Sequence, residues 1–164
     1  MSPRRIWMSA ALPLWSLLVA AGVVEIVRYD TTPYDPSPAP AVWPRESEIR
    51  AAPYGTTVVM FVHPRCPCTE ASKSELAAIE QTAPPTTRFI VTSDREEARR
   101  FGAKTSGDVV VYDMTGTRRF SGGITGYQGH VGHNVGHTMV DMIIHAQTQG
   151  SFDMPVFGCE LEAS

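Results

Sequence analysis

Two cysteines separated by a single proline are the residues in this sequence best suited to chemistry. Cys66-Pro67-Cys68 follows an apolar run, Val58 to Val62, and precedes a stretch with helical spacing, Glu70 to Gln81. The unpaired N–H groups and partial positive charge of a helix N-terminus stabilise a thiolate relative to a thiol. The position therefore favours thiol chemistry, either disulfide exchange or the binding of a soft metal.

The expected start of this helix sets the role of each residue in the motif. Pro67 suits the first helical position, because its missing N–H would have no partner there. Cys66 then becomes the N-cap, and we expect the pKa of its thiol to lie below the value of about 8.5 for an unperturbed cysteine. His63 and Arg65 add positive charge nearby if they point inward. A buried apolar pair or a structural bridge is the alternative, but the prolines offer few backbone donors for internal bonding, which argues against deep burial.

The same cysteines suit two kinds of reaction. A disulfide between Cys66 and Cys68 would close a very small ring, and departures from ideal disulfide geometry make a bond more reducible. We therefore expect an oxidising or isomerase-like couple. Kept reduced, the two thiols are ligands for Cu(I) or Zn(II), with His63 and Cys159 as further metal candidates. Cys159 is otherwise a resolving thiol or a buried apolar residue.

A glycine-rich segment carries further histidines. His133 and His137 are four residues apart, which is ligand spacing on one helical face. The alternative is a polar helix start with solvent-facing imidazoles. The glycines from Gly122 to Gly136 do not match a phosphate-binding loop, because no Lys-Ser/Thr pair follows them. They indicate a tight irregular loop.

The composition is that of one globular domain with an apolar anchor. The chain has 164 residues and a net charge of −3, and its basic residues are scattered. Nothing indicates a nucleic-acid surface, so no nucleic-acid partner is expected.

The N-terminus has the pattern of a membrane or targeting segment. Arg4 and Arg5 precede the uncharged stretch from Ile6 to Val24, which approaches the roughly 20 residues needed to cross a bilayer. The arginines favour an N-terminus on the inside, with the rest of the chain on the exported, periplasmic side. A cleaved signal peptide, with its small-residue site at Ala20-Ala21-Gly22, is the alternative. Either interpretation sends the domain to an oxidising compartment, where a disulfide persists.

The sequence divides into three parts. Residues 1–28 are the anchor or signal segment, residues 29–44 are a proline-rich linker, and residues 45–164 form the folded domain with a C-terminal tail. A short helix is predicted over Arg45 to Ala51. Strands and helices then alternate, with the strands predicted at Thr56–Val62, Thr87–Thr92, Val109–Asp113 and Thr117–Ser121, and the helices at Glu70–Gln81, Arg95–Phe101 and His133–Gln147. Ser93 or Asp94 is expected to cap the second of these helices.

This order resembles the thioredoxin-like superfamily from Gly55 to Gln147. The segments Phe61–Cys68, Phe120–Thr125 and Pro155–Cys159 are similar to those of exported RedB-type thioredoxin-like proteins. The resemblance implies an α/β fold with a central mixed sheet and flanking helices, and a redox motif between the first core strand and its helix.

Two features depart from the family pattern. Thioredoxins have two residues between their cysteines, so aligning Pro67-Cys68 with the family motif would put Arg65 at the nucleophile position; the helix-cap argument instead favours Cys66. The family's cis-proline is absent, and Thr105-Ser106-Gly107-Asp108 occupies its place. Because that proline lines the substrate groove and disfavours metal binding in the family, its loss favours a metal site.

The sequence thus predicts a membrane-tethered, exported thiol–disulfide oxidoreductase in which Cys66 attacks, Cys68 resolves and His63 tunes the thiolate. Its partners would be protein thiols or disulfides, and no cofactor is required. A Cu(I)- or Zn(II)-binding module that passes metal to a receiving protein is the alternative. A non-catalytic thioredoxin-fold interaction domain is the third.

Overall fold

The structure is a computed structural model that describes residues 3–34, 39–67, 69–132 and 134–161. Cys68 and His133 therefore lie outside the described residues. The chain divides into two units, residues 1–32 and residues 33–164.

The first unit is one helix, α1, which spans Pro3–Thr31 and contains Pro13. Its segment Ala11–Thr31 has a mean hydropathy of 1.7 and is not buried in the protein. By length and composition this segment can cross a membrane, as a signal sequence also can. The helix continues past the predicted apolar end at Val24, and the exposed side chains of Glu25 and Arg28 form an ion pair one turn apart there, at 3.6 Å.

The described residues of the second unit form one mixed sheet of five strands in the order β2-β1-β3-β4-β5. β1 pairs in parallel with β2 and antiparallel with β3, β3 pairs antiparallel with β4, and β4 pairs in parallel with β5. The elements along the chain are β1 (Thr57–Phe61), α2 (Thr69–Thr82), β2 (Arg88–Thr92), α3 (Arg95–Arg100), β3 (Asp108–Tyr112), β4 (Arg118–Gly123), α4 (Val135–Ile144) and β5 (Phe152–Asp153).

Helices cover both faces of the central strands, which explains why β1 and β3 are buried throughout and mostly apolar. On one face, α2 and α4 bury apolar side chains such as Leu76 and Val140 against Val58 and Val109. On the other face, α3 and the loop after it pack Ala98 and Phe101 onto the sheet. The predicted class, a mixed α/β domain with flanking helices preceded by an apolar N-terminal helix, is confirmed.

The helix caps follow the predicted chemistry. The Asp94 side chain accepts hydrogen bonds from the N–H groups of Glu96 and Glu97 at the start of α3, as the sequence predicts. At α4 the Asn134 side chain accepts from the His137 N–H, so the described helix begins at Val135 rather than at His133.

Two segments differ from the sequence prediction. The helix predicted over Arg45 to Ala51 does not form. Instead Glu97 holds this segment, accepting a hydrogen bond from the Ser47 hydroxyl at 2.5 Å and from the Glu48 N–H at 3.0 Å. The tail contributes the short strand β5, which the sequence pattern did not predict because two residues are too few to show a period.

The second half of the predicted linker lies on the domain. Ala39 is buried, Val42 forms a bridge with Thr117, and the Trp43 ring packs edge-on against Phe101 and Tyr112 at centroid distances of 5.0 and 5.1 Å. This segment therefore belongs to the second unit.

Candidate functional site

The turn between β1 and α2 places Cys66 at the carboxyl end of a central strand. The Cys66 N–H donates to the His63 carbonyl at 3.1 Å, and the Cys66 carbonyl accepts from the Thr69 N–H at 3.1 Å. α2 begins at Thr69, so Cys66 lies one turn ahead of the helix. Cys66 is therefore not the N-cap of α2, contrary to the prediction from the sequence.

Cys66 is only 6% exposed, whereas the sequence analysis expected a segment without deep burial. The prolines that motivated the expectation explain the outcome. Pro64 and Pro67 are exposed and have no backbone N–H. The turn therefore buries Cys66 without leaving an unpaired N–H at either proline.

The loop that precedes β3 supports this turn through hydrogen bonds. The buried Ser106 hydroxyl accepts from the His63 N–H at 2.9 Å and shares a hydrogen bond with the Thr69 hydroxyl at 2.8 Å. The Gly107 N–H donates to the Phe61 carbonyl at 2.8 Å. Ser106 therefore ties both ends of the cysteine turn to the loop before β3. No cis peptide bond occurs among the described residues.

Gly107 is required at this place by its backbone conformation. Its φ of +93° is one that L side chains rarely adopt, and a Cβ there would stand 2.7 Å from the Ser72 hydroxyl oxygen. Proline, whose φ is fixed near −65°, cannot take this position without rearrangement.

The C-terminal segment brings a second sulfur to the site. The Cys159 carbonyl accepts from the Ser106 N–H at 2.7 Å, and this bond holds the segment beside the cysteine turn. The Sγ atoms of Cys66 and Cys159 lie 2.8 Å apart. Cys159 is partly exposed, so it is not the fully buried apolar residue that the sequence analysis weighed as one alternative.

His63 is half-buried in the same turn. Its Nδ1 accepts a hydrogen bond from the Arg65 N–H at 3.2 Å. The described contacts of the imidazole are with the turn's own backbone. Its role in tuning the thiolate therefore stays a prediction, while its backbone has a defined part in shaping the turn.

Metal ligation by three or more groups is not seen in the part of the chain that the structure describes, which omits Cys68 and His133. Within that part, Cys66 and Cys159 are the metal candidates that the fold brings together.

The imidazole of His137 does not face solvent. Its Nδ1 lies 2.6 Å from a carboxylate oxygen of the buried Glu75, and the other oxygen of Glu75 accepts from the Gly132 N–H at 2.6 Å. This pairing ties α2, α4 and the glycine-rich loop together. His133, the other half of the predicted ligand pair, lies outside the described residues.

Asp108 is a buried carboxyl group that the sequence did not single out for chemistry. It begins β3 directly after the loop that supports the cysteine turn, and it is 2% exposed. Its Oδ1 has no hydrogen-bond partner among the described residues. Burial raises the pKa of Asp108 to about 7, although hydrogen bonds from the backbone of Lys104 and Val109 oppose the rise.

Comparisons with known proteins give no functional assignment. No protein-family model matches the chain, and no curated protein matches it significantly. Among solved structures, an uncharacterized conserved protein from Geobacillus kaustophilus is similar with a TM-score of 0.47 and 14% identity, over 82% of this chain and 93% of that one. A hypothetical protein from Sinorhizobium meliloti 1021 is similar with a TM-score of 0.45 and 15% identity, over 81% of this chain and 95% of that one.

Proposed function

We propose that this chain is a membrane-tethered thiol–disulfide redox protein whose thioredoxin-like domain faces the exported side. The observation that carries the proposal is the 2.8 Å contact between the Sγ atoms of Cys66 and Cys159. Sulfur atoms this close need to approach by less than about 1 Å to form a disulfide, because the S–S bond is about 2.05 Å long.

The position of Cys66 in the fold supports the same proposal. A parallel β1–α2–β2 unit precedes an antiparallel β3–β4 hairpin and a final helix, and Cys66 lies between β1 and α2. This is the element order on which the resemblance to thioredoxin-like proteins rests. Hydrogen bonds from the Ser106 loop fix the turn, so the sulfur is held in place before any partner arrives.

In the proposed reaction Cys66 is the central sulfur. Its thiolate attacks a disulfide of the substrate and forms a mixed disulfide. Cys159, already in contact, then attacks the Cys66 sulfur and releases the reduced substrate. Cys68, two residues from Cys66, is a second resolving candidate, so the site has two ways to close a disulfide on Cys66.

Exchange with oxidised glutathione tests these roles in the full-length protein in detergent. The Cys66→Ser variant is expected to lose exchange. The Cys68→Ser, Cys159→Ser variant is expected to accumulate a mixed disulfide between glutathione and Cys66, because neither resolving sulfur remains. Cys68→Ser is the matched control for removing a thiol. Equal exchange by Cys66→Ser and the parent would contradict the proposal.

A Cu(I)- or Zn(II)-binding module is the second candidate, and the same contact favours it, because two thiolates at one point are soft-metal ligands. Metal analysis of purified protein, combined with alkylation, separates the two functions. Stoichiometric metal with thiols protected from alkylation supports the metal module. Alkylation-resistant cysteines that become reactive only after reduction support the redox protein.

The compartment is tested separately. The segment that can cross a membrane, Ala11–Thr31, follows Arg4 and Arg5, and this charge pattern favours a domain on the exported side. A periplasmic reporter enzyme fused to the C-terminus is expected to be active, and a reporter that requires the cytoplasm is expected to be silent. A cytoplasmic signal would contradict export and remove the oxidising setting that a persistent disulfide needs.

A further inference from the structure

The C-terminal segment from Gly158 to Leu161 pairs with residues 104–106 in the manner of an antiparallel strand. The Ser106 N–H donates to the Cys159 carbonyl at 2.7 Å, and the Leu161 N–H donates to the Lys104 carbonyl at 2.8 Å. The two bonds flank an antiparallel bridge between Thr105 and Glu160. An extended peptide that adds to an exposed strand binds in this way, through main-chain hydrogen bonds.

This segment places Cys159 next to the sulfur of Cys66, which reacts in the proposed exchange. Cys159 Sγ lies 2.8 Å from Cys66 Sγ, and Cys66 is only 6% exposed. A sulfur from outside must come within bonding distance of Cys66. The segment already holds a sulfur in that place, so a protein substrate that approaches Cys66 from this side must displace the segment.

The residues on either side of Cys159 fit the surface closely. A Cβ on Gly158 would stand 2.0 Å from the Ser106 carbonyl oxygen, so only glycine permits this approach. Leu161 is buried in the apolar cluster on the α3 face of the sheet. The cavity beside Glu160, of about 360 Å³, is lined by Arg99 and Lys104, whose charges suit an acidic side chain.

We propose that the segment 158–161 is an internal pseudosubstrate: it occupies the binding strip formed by residues 104–106 and Cys66, and an extended segment of a protein substrate displaces it. The substrate segment carries glycine before its cysteine and an aliphatic residue two positions after it. This inference rests on the proposed redox function. It adds the class of substrate and the way in which access to Cys66 is regulated.

The exchange balances when the displaced cysteine takes part. The Cys66 thiolate attacks the substrate's cysteine sulfur in a disulfide; an S–S bond to Cys66 forms, the substrate's own S–S bond breaks, and the released thiolate takes a proton from water. The returning Cys159 thiolate attacks the Cys66 sulfur and expels the substrate cysteine as a thiolate. Two electrons pass from the protein's thiols to the substrate disulfide, which is thereby reduced.

Peptides with the sequence of residues 155–161 test the strand pairing. Their cysteine is activated as a mixed disulfide with thionitrobenzoate, and the protein is the full-length Cys68→Ser, Cys159→Ser variant in detergent. One peptide is N-methylated at the position of Leu161, whose N–H bonds the Lys104 carbonyl. The control is N-methylated at the position of Glu160, because alternate N–H groups of a strand point away from its partner.

The Leu161-methylated peptide is expected to react with Cys66 about tenfold more slowly than the control, the factor that one lost backbone hydrogen bond corresponds to. Thionitrobenzoate release and the mass of the adduct measure the reaction. Equal rates for the two peptides, with normal reactivity toward dithiobis(nitrobenzoate), overturn the pseudosubstrate and leave the redox function standing. No reaction of Cys66 even with that small disulfide overturns both.

A single methyl group tests the displacement. In the same cysteine background, Gly158→Ala forces the segment off Ser106 and is expected to speed the reaction with the unmethylated peptide about tenfold. The matched control is Gly126→Ala, whose Cβ would stand in ordinary contact, 3.7 Å from the Asn134 Cβ. A folded Gly158→Ala variant that reacts no faster than Gly126→Ala contradicts the proposal. If Gly158→Ala does not fold, the methylated peptides decide.

Discussion

The parent protein is expected to lose stability as the pH rises from about 4 to about 7. Replacing Asp108 with asparagine is expected to remove this loss. The carboxyl group is fully buried and its Oδ1 lacks a partner among the described residues, so burial favours its neutral form and raises its pKa from 3.8 to about 7. In this range the folded protein binds one more proton than the unfolded chain. Stability from this group is therefore complete below the unfolded pKa and is lost as the pH rises through the folded one.

The size of the effect follows from the two pKa values. A rise from 3.8 to about 7 corresponds to about 4 kcal/mol of unfolding free energy, a large part of the 5–15 kcal/mol typical of a domain. At pH 8 Asp108→Asn is expected to be more stable than the parent by up to this amount. At pH 4 it is expected to be equal or slightly less stable, because the added amide N–H₂ needs acceptors.

Urea unfolding followed by tryptophan fluorescence measures this difference. Trp7→Phe and Trp15→Phe leave Trp43, which packs against Phe101 and Tyr112 and reports on the second unit. The parent and Asp108→Asn are compared from pH 4 to pH 8 in this background. A stability difference that does not change with pH would refute the argument that the buried carboxyl is neutral in the fold.

A control with the opposite sign is provided by Asp113. Burial raises its pKa, but hydrogen bonds from Thr115 and Thr117 and the charge of Arg119 outweigh burial, so its pKa lies below the ordinary value. Its stabilisation is therefore present above the unfolded pKa and is lost as the pH falls through the folded one. Asp113→Asn is expected to lose stability at neutral pH and to approach the parent in acid.

Three further substitutions test the contacts that position the site. Ser106→Ala is expected to cost about 2 kcal/mol of unfolding free energy, because it leaves the His63 N–H without its acceptor. Replacing the exposed Ser93 with alanine should change the unfolding free energy by less than about 0.5 kcal/mol. Equal effects of the two substitutions in urea unfolding would contradict this role of Ser106. Glu75→Ala is expected to cost about 3 kcal/mol and to increase hydrogen exchange at the Gly132 amide, and unchanged exchange there would show that Glu75 does not hold the loop. Tyr112→Phe removes the hydroxyl that donates to the Pro40 carbonyl at 2.8 Å, so proteolysis around residue 40 is expected to quicken at a cost of about 1 kcal/mol; unchanged cleavage would argue against this tether.

The sequence predicted the central elements well because their signals are local. β1 is a β-branched run next to Gly55 and Pro64, and Asp94 has the spacing of a helix cap; both lie within a residue or two of their predicted places. The resemblance to thioredoxin-like proteins and the redox function stay predictions, because neither the fold comparison nor any relative tests them.

The site itself depends on contacts between distant parts of the chain. Cys159 is 93 residues from Cys66, and several roles for it remain open from the sequence alone. Its approach depends on the strand formed with residues 104–106, which a single sequence does not reveal. The glycine at 158 is the local signal that was available, since a glycine before a cysteine permits close backbone approach.

Burial was the property that the sequence misjudged. The prolines around Cys66 indicated an exposed turn, yet the turn buries the cysteine because Ser106 and Thr69 satisfy its polar groups. Asp108 was likewise seen only as a residue flanking a strand. Its burial depends on how the loop and β3 pack, which composition and spacing do not encode.

The most direct test of the central claim is to identify the disulfide that forms on Cys66. The full-length protein in detergent is equilibrated with oxidised glutathione, remaining thiols are alkylated, and the digested protein is mapped by mass spectrometry. The 2.8 Å sulfur contact predicts a Cys66–Cys159 bond, and predicts that Cys68→Ser forms it as readily as the parent. Recovery of Cys159 fully alkylated, with Cys66 bonded to Cys68 or to no other cysteine, would contradict the account.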